Sequence, residues 1–483
     1  MTAQMLEHDA WQAEDASAAV LDQIRAMRAE SQTRRLGALS ELGMEPPAVQ
    51  RTTWVGDLQQ GDGGKGAMAD RLAARHQIIV RVQGGDNAGH TTVFTGKDGK
   101  ERTLSTHLMP SGLRHPGTVG ILGNGVLVNP ERFAQELADL QATDPDAGSR
   151  VFVSDRCHLV LPLHRIADAR QESRKEARGQ AIGTTGRGIG PANVSKVNRI
   201  GVRVIDLHDM DLVAQRVREN IAFFGLDEDQ AEHDLDFLMR HREALLERSA
   251  DSMRLINSLL ADGYSVLFEG AQGPLIDLEH GIYPYVTTSP TAFYSVGSGS
   301  GLDPAAVQNR IGVLKVYQTM VGNGAFVSED QGELGGRLQA AGGEFGTTTG
   351  RPRRCGWLDL VHSRWAVELN NYTSVVLTKL DVLDSFERIG VCVAYEADGE
   401  LIHEFRPEHR FLENCKPVIR YFDGWQCSTR DVTSFDELPE AAKEFVEFVG
   451  TYLEAEIGGV TKGPRDDDML VRTGTALEGV VQG

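Results

Sequence analysis

No apolar run in this 483-residue chain approaches the roughly 20 residues that a membrane-spanning helix needs, so no transmembrane helix is expected. Basic charge is scarce as well: 49 Lys and Arg against 69 Asp and Glu leave a formal net charge of -20. That balance argues against nonspecific nucleic-acid binding but leaves room for a local basic pocket that holds a small anion. The five cysteines, Cys157, Cys355, Cys392, Cys415 and Cys427, form no C-x-x-C pair, and no His-rich metal spacing accompanies them. Free thiols in a reducing compartment are therefore expected. The stretch MTAQMLEHDAWQAEDAS lacks the basic and apolar regions of a secretory signal, which makes the cytoplasm the expected location. Tandem repeats and low-complexity tracts are absent too. The composition that remains, 41% hydrophobic and 24% charged, suits a soluble globular protein with ample core.

Residues 1–50 read differently from the rest. AVLDQIRAMRAESQTRRLGALSEL has helical spacing and many charges, and Pro46-Pro47 then breaks it, which predicts an appended helical extension with no role assigned. Residues 51–483 alternate short β-branched runs with helical patterns and predict one α/β catalytic domain, a large, mostly parallel sheet flanked by helices. Strands are expected at 77–82, 265–270, 311–317, 374–381 and 389–395. Helices are expected at 129–140, 211–224, 231–260, 357–370 and 438–456, the first with Asn129 as N-cap and Pro130 at its first position.

The chemistry concentrates in glycine-rich segments. Gly61-Asp62-Gly63-Gly64-Lys65-Gly66 precedes a predicted helix and offers backbone amides and an ammonium that suit a phosphate. Gln59 and Gly66 break the standard P-loop pattern. Asp62 is the misfit, because a carboxylate beside a polyphosphate is repelled unless it holds a metal or takes a proton. GGDNAGHTT at 84–92 supplies Asn87, Thr91 and His90, the last a candidate acid or donor to a phosphoryl oxygen. GTTGRGIGP at 183–191 and GTTTGRPRR at 346–354 share T-T-G-R and offer hydroxyls, amides and guanidinium groups that recognise phosphate or carboxylate. In TKLD at 378–381, an aspartate at the end of a strand can read guanine while the lysine stem lies along the ring.

Q-G-D-G-G-K-G, V-Q-G-G-D-N-A-G-H-T, A-I-G-T-T-G-R-G-I-G-P-A, F-E-G-A-Q-G, H-G-I-Y-P-Y-V-T, T-T-G-R-P-R-R-C-G-W-L-D and L-T-K-L-D-V-L-D occur in this order, and from about Thr53 onward the chain resembles the adenylosuccinate synthetases. The resemblance implies a P-loop-like, GTP-binding ligase that joins L-aspartate to IMP in a magnesium-requiring homodimer. It implies catalytic roles for Asp62, His90, Lys65 and Gln272, and magnesium ligation by Asp62 and the Gly89 carbonyl. For GTP it implies Gly61, Gly63, Gly64, Lys65, Gly66, Gly89, His90, Thr91, Arg353, Lys379, Asp381, Thr461 and Gly463. For IMP it implies Asn87, Thr185, Gln272 and Thr287, with Arg199 reaching across from the other subunit. Thr347, Thr348, Thr349, Gly350, Arg351 and Arg353 would grip aspartate. Nucleic acid and membrane are not among the implied partners.

Four positions depart from the family pattern. Gln60, Gly63 and Ala67 stand where members carry Trp, Glu and Lys, and Asp86 stands where they carry His or Asn. These departures keep a second acceptor open: dGMP, as in 2-aminoadenylosuccinate synthetases. A guanine-nucleotide-binding regulator without ligase activity is the rival from another class.

Overall fold

The computed structural model describes residues 46–95, 100–345, 350 and 352–482, so the expected helical extension lies, apart from residues 46–50, outside the described residues. Its frame is a ten-stranded sheet. In chain order the strands are β1 (Thr52–Asp57), β2 (Ile78–Arg81), β3 (Val119–Leu122), β4 (Val151–Ser154), β5 (Ser249–Ala250), β6 (Val266–Glu269), β7 (Asn309–Lys315), β8 (Ser374–Thr378), β9 (Ile457–Thr461) and β10 (Met469–Val471). Side by side they run β10-β9-β8-β7-β1-β6-β2-β3-β4-β5. Every neighbouring pair is parallel except β9 with β10. Helices cover both faces, which is why strands such as IIVR and VLFE are buried along their whole length.

Helix α1 (Lys65–Ala73) follows the glycine-rich loop. It buries Met68, Ala69, Leu72 and Ala73 against Val55, Ile79, Leu267, Ile311 and Val313 of the sheet. The opposite face of β1 carries Trp54, fully buried, with its ring stacked 5.5 Å from Tyr372 and edge-on to Phe293. The Tyr372 hydroxyl donates to the Asp57 carbonyl at 2.8 Å and so fixes the point where β1 ends. Because the central strands are parallel, the carboxyl ends of β1, β2, β6, β7, β8 and β9 open on one edge, where ligands of open α/β sheets collect.

Several expected elements are divided. The strand expected at 311–317 breaks after Lys315, and Tyr317–Met320 enters a second, five-stranded sheet with Arg354–Asp359, Arg388–Ala397, Glu400–Ile402 and Lys416–Asp423. The helix expected at 231–260 is two, Gln230–Leu246 and Ser252–Ala261, because Asp251 caps the second by accepting from the Arg254 amide at 3.2 Å. The one expected at 357–370 starts only at Leu360, where Asp359 is the N-cap and the residues before it are strand. Helix Pro130–Thr143 has the expected Asn129 cap, which accepts from Glu131 at 3.1 Å. No helix among the described residues is long and apolar enough to cross a membrane.

His76, just past α1, ties that helix to the sheet. Its Nδ1–H donates to the Leu72 carbonyl at 2.7 Å, which leaves Nε2 to accept from the Thr53 hydroxyl at 3.0 Å. Burial pulls its pKa down to about 4 from 6.5. Between those values the unfolded chain binds a proton that the folded chain refuses, so acid favours unfolding and stability falls with pH. The loss from this one group approaches about 3 kcal/mol at the lower limit. His76→Gln is expected to flatten the dependence of the unfolding midpoint on pH between 6.5 and 4; an unchanged slope would show that His76 is not the group titrating.

Candidate active site

The loop after β1 is organised by a carboxylate that the motif does not contain. Asp57 Oδ1 accepts from the amides of Gln59 at 2.8 Å and Gly61 at 3.1 Å, and Oδ2 accepts from Gly63 at 2.9 Å and from Lys65 Nζ at 3.2 Å. Lys65 also donates to the Gly61 carbonyl at 2.7 Å and is almost wholly buried. The glycines allow close approaches. A Cβ at Gly61 would stand 2.4 Å from the Gln272 Cα, one at Gly63 2.7 Å from Asp57 Oδ2, and one at Gly66 2.5 Å from the His90 Cβ. Gly64, at φ 100°, turns the chain into α1. With the Gly61 and Gly63 amides spent on Asp57, the donors left for an anion are those at the N-terminus of α1.

Asp62 faces a second group of charges. Its Oδ2 receives Lys315 Nζ at 3.0 Å and the Thr319 hydroxyl, with Arg353 at 3.5 Å, while the buried Oδ1 has no partner among the described residues. Burial works against ionising Asp62, yet Lys315 and Arg353 overcome it and hold the carboxyl below its ordinary 3.8. Behind Lys315 lies Glu344, itself fully buried and bonded to Lys315, Tyr317, Lys379 and Arg353. Burial would raise its carboxyl, but the three cations keep it far below 4.5.

His90 begins the strand after GGDNAG, and its Nδ1 lies 2.5 Å from Glu269 Oε1 at the end of β6. Glu269 also accepts from the Ser111 amide at 2.9 Å and hydroxyl at 2.6 Å. Burial opposes ionisation of Glu269, but His90, Arg81 and Ser111 bring its pKa down to about 2. A carboxylate that accepts from Nδ1–H fixes the tautomer and leaves Nε2 as the working nitrogen. Gln272 sits at φ 56°, and neither atom of its buried side-chain amide, nor the buried Asn87 Oδ1, has a partner among the described residues. Asp86 accepts from Asn129 Nδ2 at 2.8 Å, and burial raises its carboxyl.

Across the sheet, Lys379 adopts φ 62° and donates its amide to the Thr461 hydroxyl at 3.1 Å, which joins the ends of β8 and β9. Asp381 lies on the following turn, and a Cβ at Gly463 would stand 2.4 Å from Asp468 Oδ2. The other candidates are less engaged. Thr91 is exposed on a two-stranded hairpin, 3.1 Å from the Ser105 hydroxyl. Thr185 is exposed between helices, and Arg199 is exposed at φ 66°. Thr287 donates its amide to the Ile276 carbonyl at 2.8 Å, next to Thr288, which accepts from Asn193 Nδ2 at 2.6 Å. Thr347, Thr348, Thr349 and Arg351 lie outside the described residues, whereas Gly350, at φ 65°, lies within them.

A family model for adenylosuccinate synthetase matches residues 55–470. The chain belongs to the adenylosuccinate synthetase family. The enzyme of that name from Chlorobium phaeovibrioides is 42% identical over 435 residues, 88% of this chain and 98% of its own. The one from a Synechococcus species is 41% identical over 421 residues, 86% of this chain and 94% of its own. The solved structure of fully ligated adenylosuccinate synthetase from Plasmodium falciparum has a TM-score of 0.83 at 33% identity, covering 88% of this chain and all of that one, 100%. The succinoaminodeoxyadenylate synthetase of cyanophage S-2L, bound to dGMP and dATP, has a TM-score of 0.55 at 19% identity, covers 90% of this chain and 99% of that one, and shares the fold. As an adenylosuccinate synthetase-family protein the chain is a GTP-dependent ligase that forms a C–N bond.

Within this family setting, four groups that hold the site together escaped the sequence reading. Lys315 left a trace, a charge inside the apolar run IGVLKVY, and Glu269 stands in F-E-G-A-Q-G without a role given to it, whereas Asp57 and Glu344 left none beyond their neighbouring glycines. Of the departures, Gln60 borders a small cavity with Leu275, Ile282 and Gln318, and Gly63 lies close beside the Asp57 carboxylate. Asp57→Asn turns a donor toward Gly63 or Lys65 and is expected to raise the KM for GTP about tenfold, the effect of one lost charged hydrogen bond. Steady-state kinetics check this, and an unchanged KM would mean that other contacts hold the loop.

Proposed function

We propose that the protein condenses L-aspartate with IMP at the expense of GTP and gives adenylosuccinate, GDP and phosphate. The observation that carries the reading is Asp62: an ionised carboxylate with a buried oxygen that has no partner among the described residues, set in the loop that leads into the α1 N-terminus, with His90 packed on the first turn of that helix. Asp62 takes the N1 proton of the purine, which makes O6 nucleophilic toward the γ-phosphorus of GTP. The bond from that phosphorus to the β–γ bridging oxygen breaks, and GDP leaves. His90, with Nδ1 on Glu269, presents Nε2 to the phosphoryl group, and the α1 amides stabilise its charge. The aspartate amine then attacks C6, phosphate leaves with the O6 oxygen, and the amine gives up a proton.

Magnesium suits the donor set, since this ion needs only one or two protein oxygens beside phosphates and water, and Asp62 Oδ1 and the Gly89 carbonyl would hold it. When bound, it neutralises phosphate charge during transfer. Gln272 and Asn87, with unpaired amide atoms, suit purine nucleotide recognition, helped by Thr185 and Thr287. Lys379, Asp381, Thr461 and Gly463 form the guanine end. Arg353 and Gly350 belong to a loop whose base is closed by the Arg353 amide on the Glu344 carbonyl at 3.0 Å, the segment assigned to aspartate. Arg199 lies in one segment with the exposed Val194 and Val197, a surface that a second copy would cover, which supports a dimer with Arg199 acting in trans. The free cysteines favour a reducing compartment, the cytoplasm.

IMP is favoured over dGMP because the relatives near 40% identity are named adenylosuccinate synthetases, whereas the dGMP-bound neighbour is 19% identical. Purified protein given GTP, magnesium and L-aspartate with IMP, dGMP or GMP in parallel is expected to yield adenylosuccinate by mass from IMP alone. Condensation of dGMP but not IMP overturns the acceptor, and GTP hydrolysis without condensation favours the regulator. Asp62→Ala is expected to lower condensation by at least about a hundredfold, the scale of a lost general base; retained turnover would assign the base elsewhere. Mixing Arg199→Leu with Asp62→Ala subunits is expected to restore part of the activity that each homodimer lacks, and no restoration would count against a shared site.

A further inference from the structure

Glu344 is the one fully buried side chain through which three of the proposed ligand subsites meet. Oε1 accepts from Lys315 at 3.2 Å, from Lys379 at 2.7 Å and from the Tyr317 hydroxyl, and Oε2 accepts from Arg353. Lys315 leads to Asp62, Lys379 to the nucleobase end and Arg353 to the amino-acid loop. Lys379 Nζ is further tethered to the Gly342 carbonyl at 3.0 Å and lies 5.9 Å from the centre of the Tyr317 ring. The same residue pins the loop through main chain, its carbonyl accepting the Arg353 amide at 3.0 Å.

A buried ion cluster is often structural, and breaking one destabilises whatever its role. Two features separate this cluster from that case. Three cations, Lys315, Lys379 and Arg353, face two carboxylates, Asp62 and Glu344, so the group carries a surplus positive charge. In addition, the buried Arg353 Nε has no partner among the described residues. A cluster built only for stability has no use for either.

We propose that Glu344 is a positioning residue shared by the nucleobase and amino-acid subsites: one carboxylate holds the Lys379 ammonium and the Arg353 guanidinium at once, and so sets the affinity for both ligands. This rests on the function proposed above for Lys379 and Arg353. Glu344→Gln keeps the shape and removes the charge. It is expected to raise the KM for GTP and the KM for L-aspartate together, each about tenfold, the scale of one weakened charged contact, while the KM for IMP stays within about twofold. Selectivity for GTP over ATP falls in step, because the lysine stem loses its anchor. Glu344→Asp, which keeps the charge but shortens the reach, restores the unfolding midpoint and not the two KM values.

A purely structural Glu344 would instead lower the folded fraction and kcat with both KM values unmoved, and that result overturns the proposal. A change confined to GTP or to aspartate overturns the shared role. Calorimetric binding of GTP and of ATP without an acceptor purine separates the two ideas: if the wild type discriminates GTP and Glu344→Gln does not, the positioning role at the nucleobase stands even where no purine is condensed. Equal discrimination in the two proteins overturns it.

Discussion

Parallel pairing around β1 is the constraint on which the site depends. Six neighbouring strands point the same way, so the residues that follow each of them meet on one edge: Asp62 after β1, the 83–90 turn after β2, Glu269 to Gln272 at β6, Lys315 at β7, Lys379 at β8 and Thr461 at β9. The register does the fine adjustment, since Val55 lies beside Glu269 and Asp57 beside Val313, which sets the depth of each loop relative to its neighbours. Trp54 and Tyr372 lock β1 from behind, and the Tyr372 hydroxyl carries that rigidity to the Asp57 carbonyl.

On this frame, charges are settled in pairs before any ligand arrives. Asp57 neutralises Lys65, Lys315 neutralises Asp62, and Glu269 takes the His90 proton donor, so each of these three titratable groups has a partner of its own within the protein. Such partners restrict orientation as much as charge. His90 can offer only Nε2, and Lys65 cannot wander. A chain with a net charge of -20 thus builds a pocket for anions locally, with little regard to its overall balance.

How much of this was legible depends on distance along the chain. The Asn129 cap, the glycine-rich loop and the aspartate at the end of β8 are local signals, and each stands where its motif put it. Strand and helix limits failed where a polar residue changed the local rule, at Asp251 and Asp359, both of which start helices inside patterns that read as continuous. The second sheet was invisible because Tyr317–Met320 looked like the tail of β7. Asp57 and Glu344 could not be found at all. Glu344 meets partners up to 35 residues away, and although those of Asp57 lie within eight, a lone acidic residue beside glycine carries no sign of what it will meet.

The pairing of β1 with β6 and β7 also has a kinetic side. Thr52 lies against Val266 and Thr53 against Asn309, so the strand that carries the phosphate loop finds its partners only after more than two hundred intervening residues have been made and gathered. Contacts of that span form late and slowly. Gly61 meets the Gln272 backbone, and Gly63 the Val313 carbonyl, only once those strands have docked. A chain still emerging or half assembled therefore carries the motif in its sequence but no nucleotide site, and competence to split GTP arrives together with the finished sheet.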